Sequence, residues 1–185
     1  MIHNISQSNN KYATHFQSFL AVRFHSIMLA SAILLLIFST VLQAKTVKYS
    51  GEWFDVMIPA DFTIKPSLNN GSTDTVISAF FISPDQKVAF YIFAPQWSGD
   101  PVDIKLKPGV EKEISRTSKR NGGNQITWFS YKNIKTGYTR AYQQTENEEG
   151  TSLTIIGIEY DNESAYEKYK NQYLAFKKSL VQYAD

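Results

Sequence analysis

The chain has 185 residues, 43% of them hydrophobic and 14% aromatic, with a formal net charge of +2, three histidines and no cysteine. The histidines, His3, His15 and His25, all precede residue 26. Beyond that point thiol nucleophiles, disulfides, histidine general bases and nearly all zinc, copper and haem-iron sites are excluded together.

Residues 27–42 form an uncharged apolar run, preceded by Arg23 and His25 and followed by Gln43, Ala44 and Lys45. The run reads as an export signal cut after Ala44. The rival reading is a retained anchor, for which the run is short against the roughly 20 apolar residues that spanning takes. The polar stretch before it is long for a leader, which makes Met28 an alternative start. The expected location is periplasmic or secreted, with membrane contact only through that segment if it is kept.

Residues 45–185 are then expected to form one domain, the size of a typical single hydrophobic core. The leader carries only Lys11 and Arg23 as strong charges, so the remainder balances 17 basic residues against 17 acidic ones. A neutral, mixed-sign domain has no electrostatic footprint for nucleic acid or for an anionic membrane.

Residues 53–58 alternate, with Phe54, Val56 and Ile58 on one side and Pro59 ending the run, which predicts a strand. Residues 76–83 and 87–94 are dense in β-branched and aromatic residues on both alternating sets. With the turn Ser83-Pro84-Asp85-Gln86 between them, they predict a hairpin buried on both faces. Residues 110–119 read as a polar edge strand, turned by Asn121-Gly122-Gly123-Asn124 into a strand over 125–133. Asn133 to Gly137 and Asn147 to Gly150 each end in glycine where a type I turn plus bulge needs a positive φ. Strands over 137–145 and 151–160 follow. The last element is a helix, with Ser164-Ala165-Tyr166-Glu167 as a capping box and Tyr166, Tyr169, Tyr173, Phe176 and Leu180 as the stripe that packs on a sheet. The fold class is α+β: an antiparallel sheet of about six strands with a C-terminal helix on one face.

Several of these segments together resemble the PsbP-like superfamily: Phe54 to Pro59 followed by Phe62, the hairpin Phe81 to Phe90, Trp128 to Lys132, and Phe176 to Leu180. The likeness covers most of residues 47–183 and rests on packing motifs. It implies an antiparallel sheet sandwiched by helices, in exported bacterial or thylakoid-lumen proteins that mostly act as accessory or assembly factors. It carries over no catalytic residue. Since only one helix is evident here, the second face of the sheet is expected to be covered by residues 98–108 or by something external.

Pairing of the strands 125–133 and 137–145 is expected to place Trp128, Ser130 and Lys132 on one face with Tyr138, Arg140 and Tyr142. That patch has two readings. It is a site for an anionic or sugar-like ligand, with Arg140 and Lys132 as donors and the rings as platforms, or a set of cross-strand pairs that stabilises the sheet. Trp97, in a loop rich in turn formers, is either an interface anchor or a lid over the core. The close carboxylate pairs are Asp100 with Asp103, Glu111 with Glu113, and Glu148 with Glu149. None matches a glycosidase pair, and a calcium site from Asp100 and Asp103 lacks the regular oxygen spacing of a calcium loop. No phosphate loop, nucleophile elbow or zinc motif is present in the sequence. The functional expectation is a non-enzymatic binding or accessory protein of the bacterial envelope, without cofactor or metal, whose partner is an envelope protein or a small ligand. A small-ligand carrier and a carboxylate-dependent envelope hydrolase are the alternatives.

Overall fold

The computed structural model describes residues 45–69 and 75–183. The expected export segment lies outside the described residues. Ten strands, one short 3₁₀ turn and one α-helix are described in chain order: β1 (Thr46–Ser50), β2 (Phe54–Pro59), β3 (Thr63–Pro66), β4 (Ser78–Ile82), β5 (Val88–Phe93), the 3₁₀ turn (Val102–Ile104), β6 (Glu111–Asn121), β7 (Asn124–Asn133), β8 (Thr139–Asn147), β9 (Leu153–Tyr160), α1 (Glu163–Lys178) and β10 (Val181–Gln182). The main sheet has seven antiparallel strands in the order β3-β4-β5-β9-β8-β7-β6, and a smaller sheet has the order β1-β2-β10. The expected strands corresponding to β4 to β9 are all present in the main sheet, with β6 at its edge as expected. The alternating strand at residue 54 instead belongs to the small sheet, where β1 and β10 flank it.

The helix and β2 cover one face of the main sheet. Phe54, Val56 and Ile58 pack with Phe81, Phe90, Ile156, Ile158, Tyr169 and Phe176 in one apolar cluster. Phe176 meets Phe81 edge to face and Phe90 at a tilt, at 5.5 and 5.3 Å between ring centroids. The other face holds a second cluster of Tyr91, Phe93, Phe129, Tyr131, Tyr142, Leu153 and Ile155, into which Ile104 of the 3₁₀ turn inserts. A strand between two covered faces must be apolar throughout, and all six residues of β5 are buried. Residues 98–108, the cover anticipated from the lack of a second helix, therefore reach this face through Ile104.

The helix starts earlier than the capping box suggests. Asn162 is the N-cap, and its Oδ1 accepts the N–H of Ala165 at 3.0 Å. Ser164 is already inside the first turn, because Asn162, two residues after the strand end, caps a free N–H first. At the other end the Ser179 hydroxyl accepts the N–H of Met57 at 2.8 Å and donates to the Phe176 carbonyl, tying the helix terminus to β2. Between β6 and β7, Gly122 and Gly123 both have positive φ, 55° and 76°, as a two-residue type I′ hairpin requires.

Truncating Phe176 to alanine is expected to cost about 3–5 kcal/mol, since its ring is 1% exposed and the packed faces cannot collapse into the void. Leu174→Ala, two residues away but 52% exposed, is expected to stay within about 0.5 kcal/mol. Urea unfolding of the two variants, followed by circular dichroism, checks the contrast.

Candidate functional site

On adjacent antiparallel strands, directly opposite residues point to the same face and faces alternate along each strand, so register decides which groups meet. Between β7 and β8 the partners are Trp128 with Gln143, Ser130 with Ala141, and Lys132 with Thr139, while Phe129 faces Tyr142 and Tyr131 faces Arg140. The expected patch is thus divided. Trp128, Ser130 and Lys132 lie on the helix side of the sheet, whereas Tyr138, Arg140 and Tyr142 lie on the other. The cause is the loop. Asn133 pairs with Tyr138, leaving four residues between them, and an even loop reverses the parity that a three-residue turn with a bulge would give. Asn133 Oδ1 holds the loop by accepting the N–H groups of Lys135 and Thr136 at 2.9 and 3.0 Å, and Gly137 takes the positive φ of 78°.

On the face away from the helix, Arg140 is 3% exposed at the base of a groove of about 690 Å³. Its Nε donates to Glu111 Oε1 at 2.9 Å and its Nη2 to Glu111 Oε2 at 2.5 Å. Nη1 donates to the Ile104 carbonyl and to the Tyr142 hydroxyl, and Nη2 also donates to the Lys105 carbonyl at 3.1 Å. A guanidinium has five N–H donors, and all five have acceptors within the chain. The rings of Tyr131 and Tyr142 lie 5.3 and 5.9 Å from the guanidinium carbon, close enough for cation–π attraction.

The carboxylates of the groove are engaged in the same way. Glu159, directly opposite Arg140 on β9, accepts from Tyr142 at 2.5 Å and from Tyr138 at 2.9 Å, one on each oxygen. Glu111 also accepts the N–H of Lys107 at 3.0 Å. Asp103 takes the Tyr91 hydroxyl on one oxygen and the Ser78 hydroxyl on the other, both at 2.8 Å. Burial pushes the phenol of Tyr142 far above its ordinary range, and the Glu159 charge adds to this. Tyr138 is raised by burial and then by Glu159, and Tyr91 by burial and then by Asp103. Burial alone would raise the Glu111 carboxyl, but the Arg140 and Lys107 hydrogen bonds outweigh it and hold the group below its usual value.

The remaining carboxylate pairs are separated by their partners. Asp100 pairs with Lys105 while Asp103 turns to Ser78 and Tyr91, and Glu113 pairs with Arg116 while Glu111 holds Arg140. Among the described residues no cluster of three or more His, Cys, Asp or Glu side chains suits a metal ion, and no helix is long and apolar enough to cross a membrane. Trp97 is 59% exposed at the rim of a small cavity of about 200 Å³, lined also by Trp53, Phe93 and Pro95. On the helix side, Trp128 is 39% exposed and its Nε1 donates to Gln143, whose Oε1 also accepts Lys177 Nζ at 2.6 Å.

Sequence reasoning found Arg140 but not Glu111, Glu159 or Asp103 as its surroundings. Glu159 carried a signal, as the lone charge in the apolar strand Leu153–Tyr160. A charge there is rarely buried without a partner.

No family model matches the chain, and no curated protein matches it. Among solved structures, the solution structure of cyanobacterial PsbP (CyanoP) from Synechocystis sp. PCC 6803 is similar with a TM-score of 0.47 and 12% identity, over 78% of this chain and 96% of that one. The Ran-binding protein Mog1p of Saccharomyces cerevisiae is similar with a TM-score of 0.37 and 7% identity, over 76% of this chain and 95% of that one.

Removing one partner of a buried ion pair leaves the other charge uncompensated, so Arg140→Leu is expected to lose about 3–5 kcal/mol. Replacing both Arg140 and Glu111 with apolar residues should recover part of that loss, as chemical denaturation of the single and double variants will show. The tyrosines give a second test. Their folded pKa values lie above the ordinary value of 10.0, so the stability they contribute is complete below that pH and is lost as pH rises past it. Absorbance of tyrosinate should therefore rise in two steps, the second coinciding with loss of circular dichroism. A single step before unfolding contradicts the buried network.

Proposed function

We propose that residues 45–185 act as an exported, non-enzymatic binding protein of the bacterial cell envelope, working through its surface. The observation that carries this reading is the saturation of the Arg140 groove. General acid or base catalysis needs a carboxylate or phenol within reach of a substrate proton. Here Asp103, Glu111 and Glu159 each have both oxygens occupied by donors of the same chain, and no N–H of Arg140 is left for a ligand. The groove is a clamp that holds the segment carrying Ile104, Lys105 and Glu111 against the sheet. Trp97 supplies a different chemistry: a large ring, mostly in solvent, beside a small cavity lined by both rings and polar side chains, which suits the anchor of a protein interface. Export is supported by the apolar run at 27–42 and the small residue at Ala44.

Native mass spectrometry of the protein released gently from the envelope of its host tests all three parts. The expected mass is that of residues 45–185, with a protein partner retained. Trp97→Ala is expected to leave stability within about 0.5 kcal/mol, as substitutions of exposed residues do, and to lose the partner. A small molecule retained in place of a protein moves the reading to a carrier. Turnover of an envelope glycan that Glu159→Gln abolishes overturns the non-enzymatic reading.

A further inference from the structure

The helix-side surface of β6 and β7 has a charge pattern that the groove does not explain. Lys112 lies directly opposite Lys132, and like charges in that position repel. Lys119 lies opposite Ile126 on the same face. An uninterrupted strand would send Lys112 and Lys119 to opposite faces, because they are seven residues apart. The register shift between Glu113 and Ser115 adds one residue and returns both to one face. Glu111 and Glu113, which flank Lys112 before the shift, alternate to the groove side, opposite Asn133 and Tyr131, and Glu146 of β8 is also on that side, opposite Gln125. This face of β6, β7 and β8 therefore carries lysines and no carboxylate. All three lysines are exposed and none makes an ion pair with another described residue.

Lysines on an edge strand guard against aggregation. That accounts for Lys112 and Lys119 on β6, but not for Lys132, which is on the interior strand β7. Between the two cationic ends lies Trp128, held by Gln143, with Ser130 and Thr117 beside it. Lys132 and Ile126 are six residues apart on one strand, so the cationic ends are about 20 Å apart. A single phosphate or sugar acid cannot span that length.

We propose that this shelf docks an extended, carboxylated glycan strand, with its acid groups on Lys112, Lys132 and Lys119 and a sugar ring against Trp128. The proposal rests on the binding-protein reading and names a ligand class for it. Charge complementarity requires a polyanion, and the aromatic ring amid hydroxyls favours a sugar over a peptide or a nucleic acid.

The test is calorimetric titration of the protein purified from its host with pentagalacturonate, repeated with its neutral methyl ester and with polyglutamate of equal charge. The acidic sugar is expected to bind, with affinity falling as salt rises and with a change in Trp128 fluorescence that Trp128→Phe removes. Lys112→Gln and Lys132→Gln are each expected to weaken binding roughly tenfold, the scale of one lost hydrogen bond to a charged group. Lys65→Gln, on β3 at the opposite edge, should have no effect. Absence of binding, equal binding of the methyl ester, or tighter binding of polyglutamate overturns the proposal. If a Trp97-dependent partner is still retained from the envelope, such a failure removes the glycan assignment alone and leaves the binding-protein reading in place.

Discussion

The buried guanidinium of Arg140 organises one half of this molecule. The face of the main sheet opposite the helix has no second helix to cover it, and among the described residues its cover includes a three-residue 3₁₀ turn from which Ile104 is buried. A turn that short brings little apolar area with it. Arg140 supplies the difference by holding the carbonyls of Ile104 and Lys105 and the carboxylate of Glu111 at once, fixing the segment at both ends. An ion pair taken this far out of water is a poor source of net stability but a severe constraint on conformation, because each alternative placement of the segment strands a charge. Asp103 repeats the logic further along, joining the same segment to Ser78 and Tyr91.

Two one-residue devices decide what each face of the sheet presents. The four-residue loop before Tyr138 aligns Arg140 with Tyr131 and Tyr142 with Phe129, which places the guanidinium among rings and opposite Glu159. The irregularity at Ile114 lets β6 contribute Glu111 to that same side and still return Lys119 to the side of Lys112. Shortening the loop or deleting the bulge would exchange the two sets, putting lysines into the aromatic cluster. Register is specified here by the cost of burying the wrong residues as much as by the turns themselves.

The same two devices explain what could be read in the sequence. Strands β2 and β4 to β9 announce themselves by alternation or by apolar runs between turn formers, and the helix by its stripe of rings. Strands β1, β3 and β10 were not legible: they have two to five residues, mostly exposed, and exist because β2 and β4 offer them edges to pair with. The division of the expected patch was not legible either. A glycine with positive φ closes three- and four-residue loops alike, and the choice falls to Asn133, whose side chain takes two loop N–H groups. Arg140 finds Glu111 across 29 residues, a separation that no local pattern reports.

The clamp and the shelf lie back to back on the same strands, and this bears on how the outer surface works. Phe129 is buried on the clamp side and Trp128, its neighbour in sequence, faces out; Tyr131 and Lys132 repeat the arrangement. The backbone that carries the exposed groups is therefore held by a close-packed aromatic and ionic layer one side chain away. Preorganisation of that kind lowers the ordering cost of binding, leaving chiefly the rotamers of the lysines to be fixed. Trp128 has less freedom still, since its indole N–H is already bonded to Gln143 and that amide to Lys177 of the helix. A rigid platform with mobile charges at its ends discriminates by length and by charge spacing more than by the fit of a single group, and it needs no deep pocket to do so.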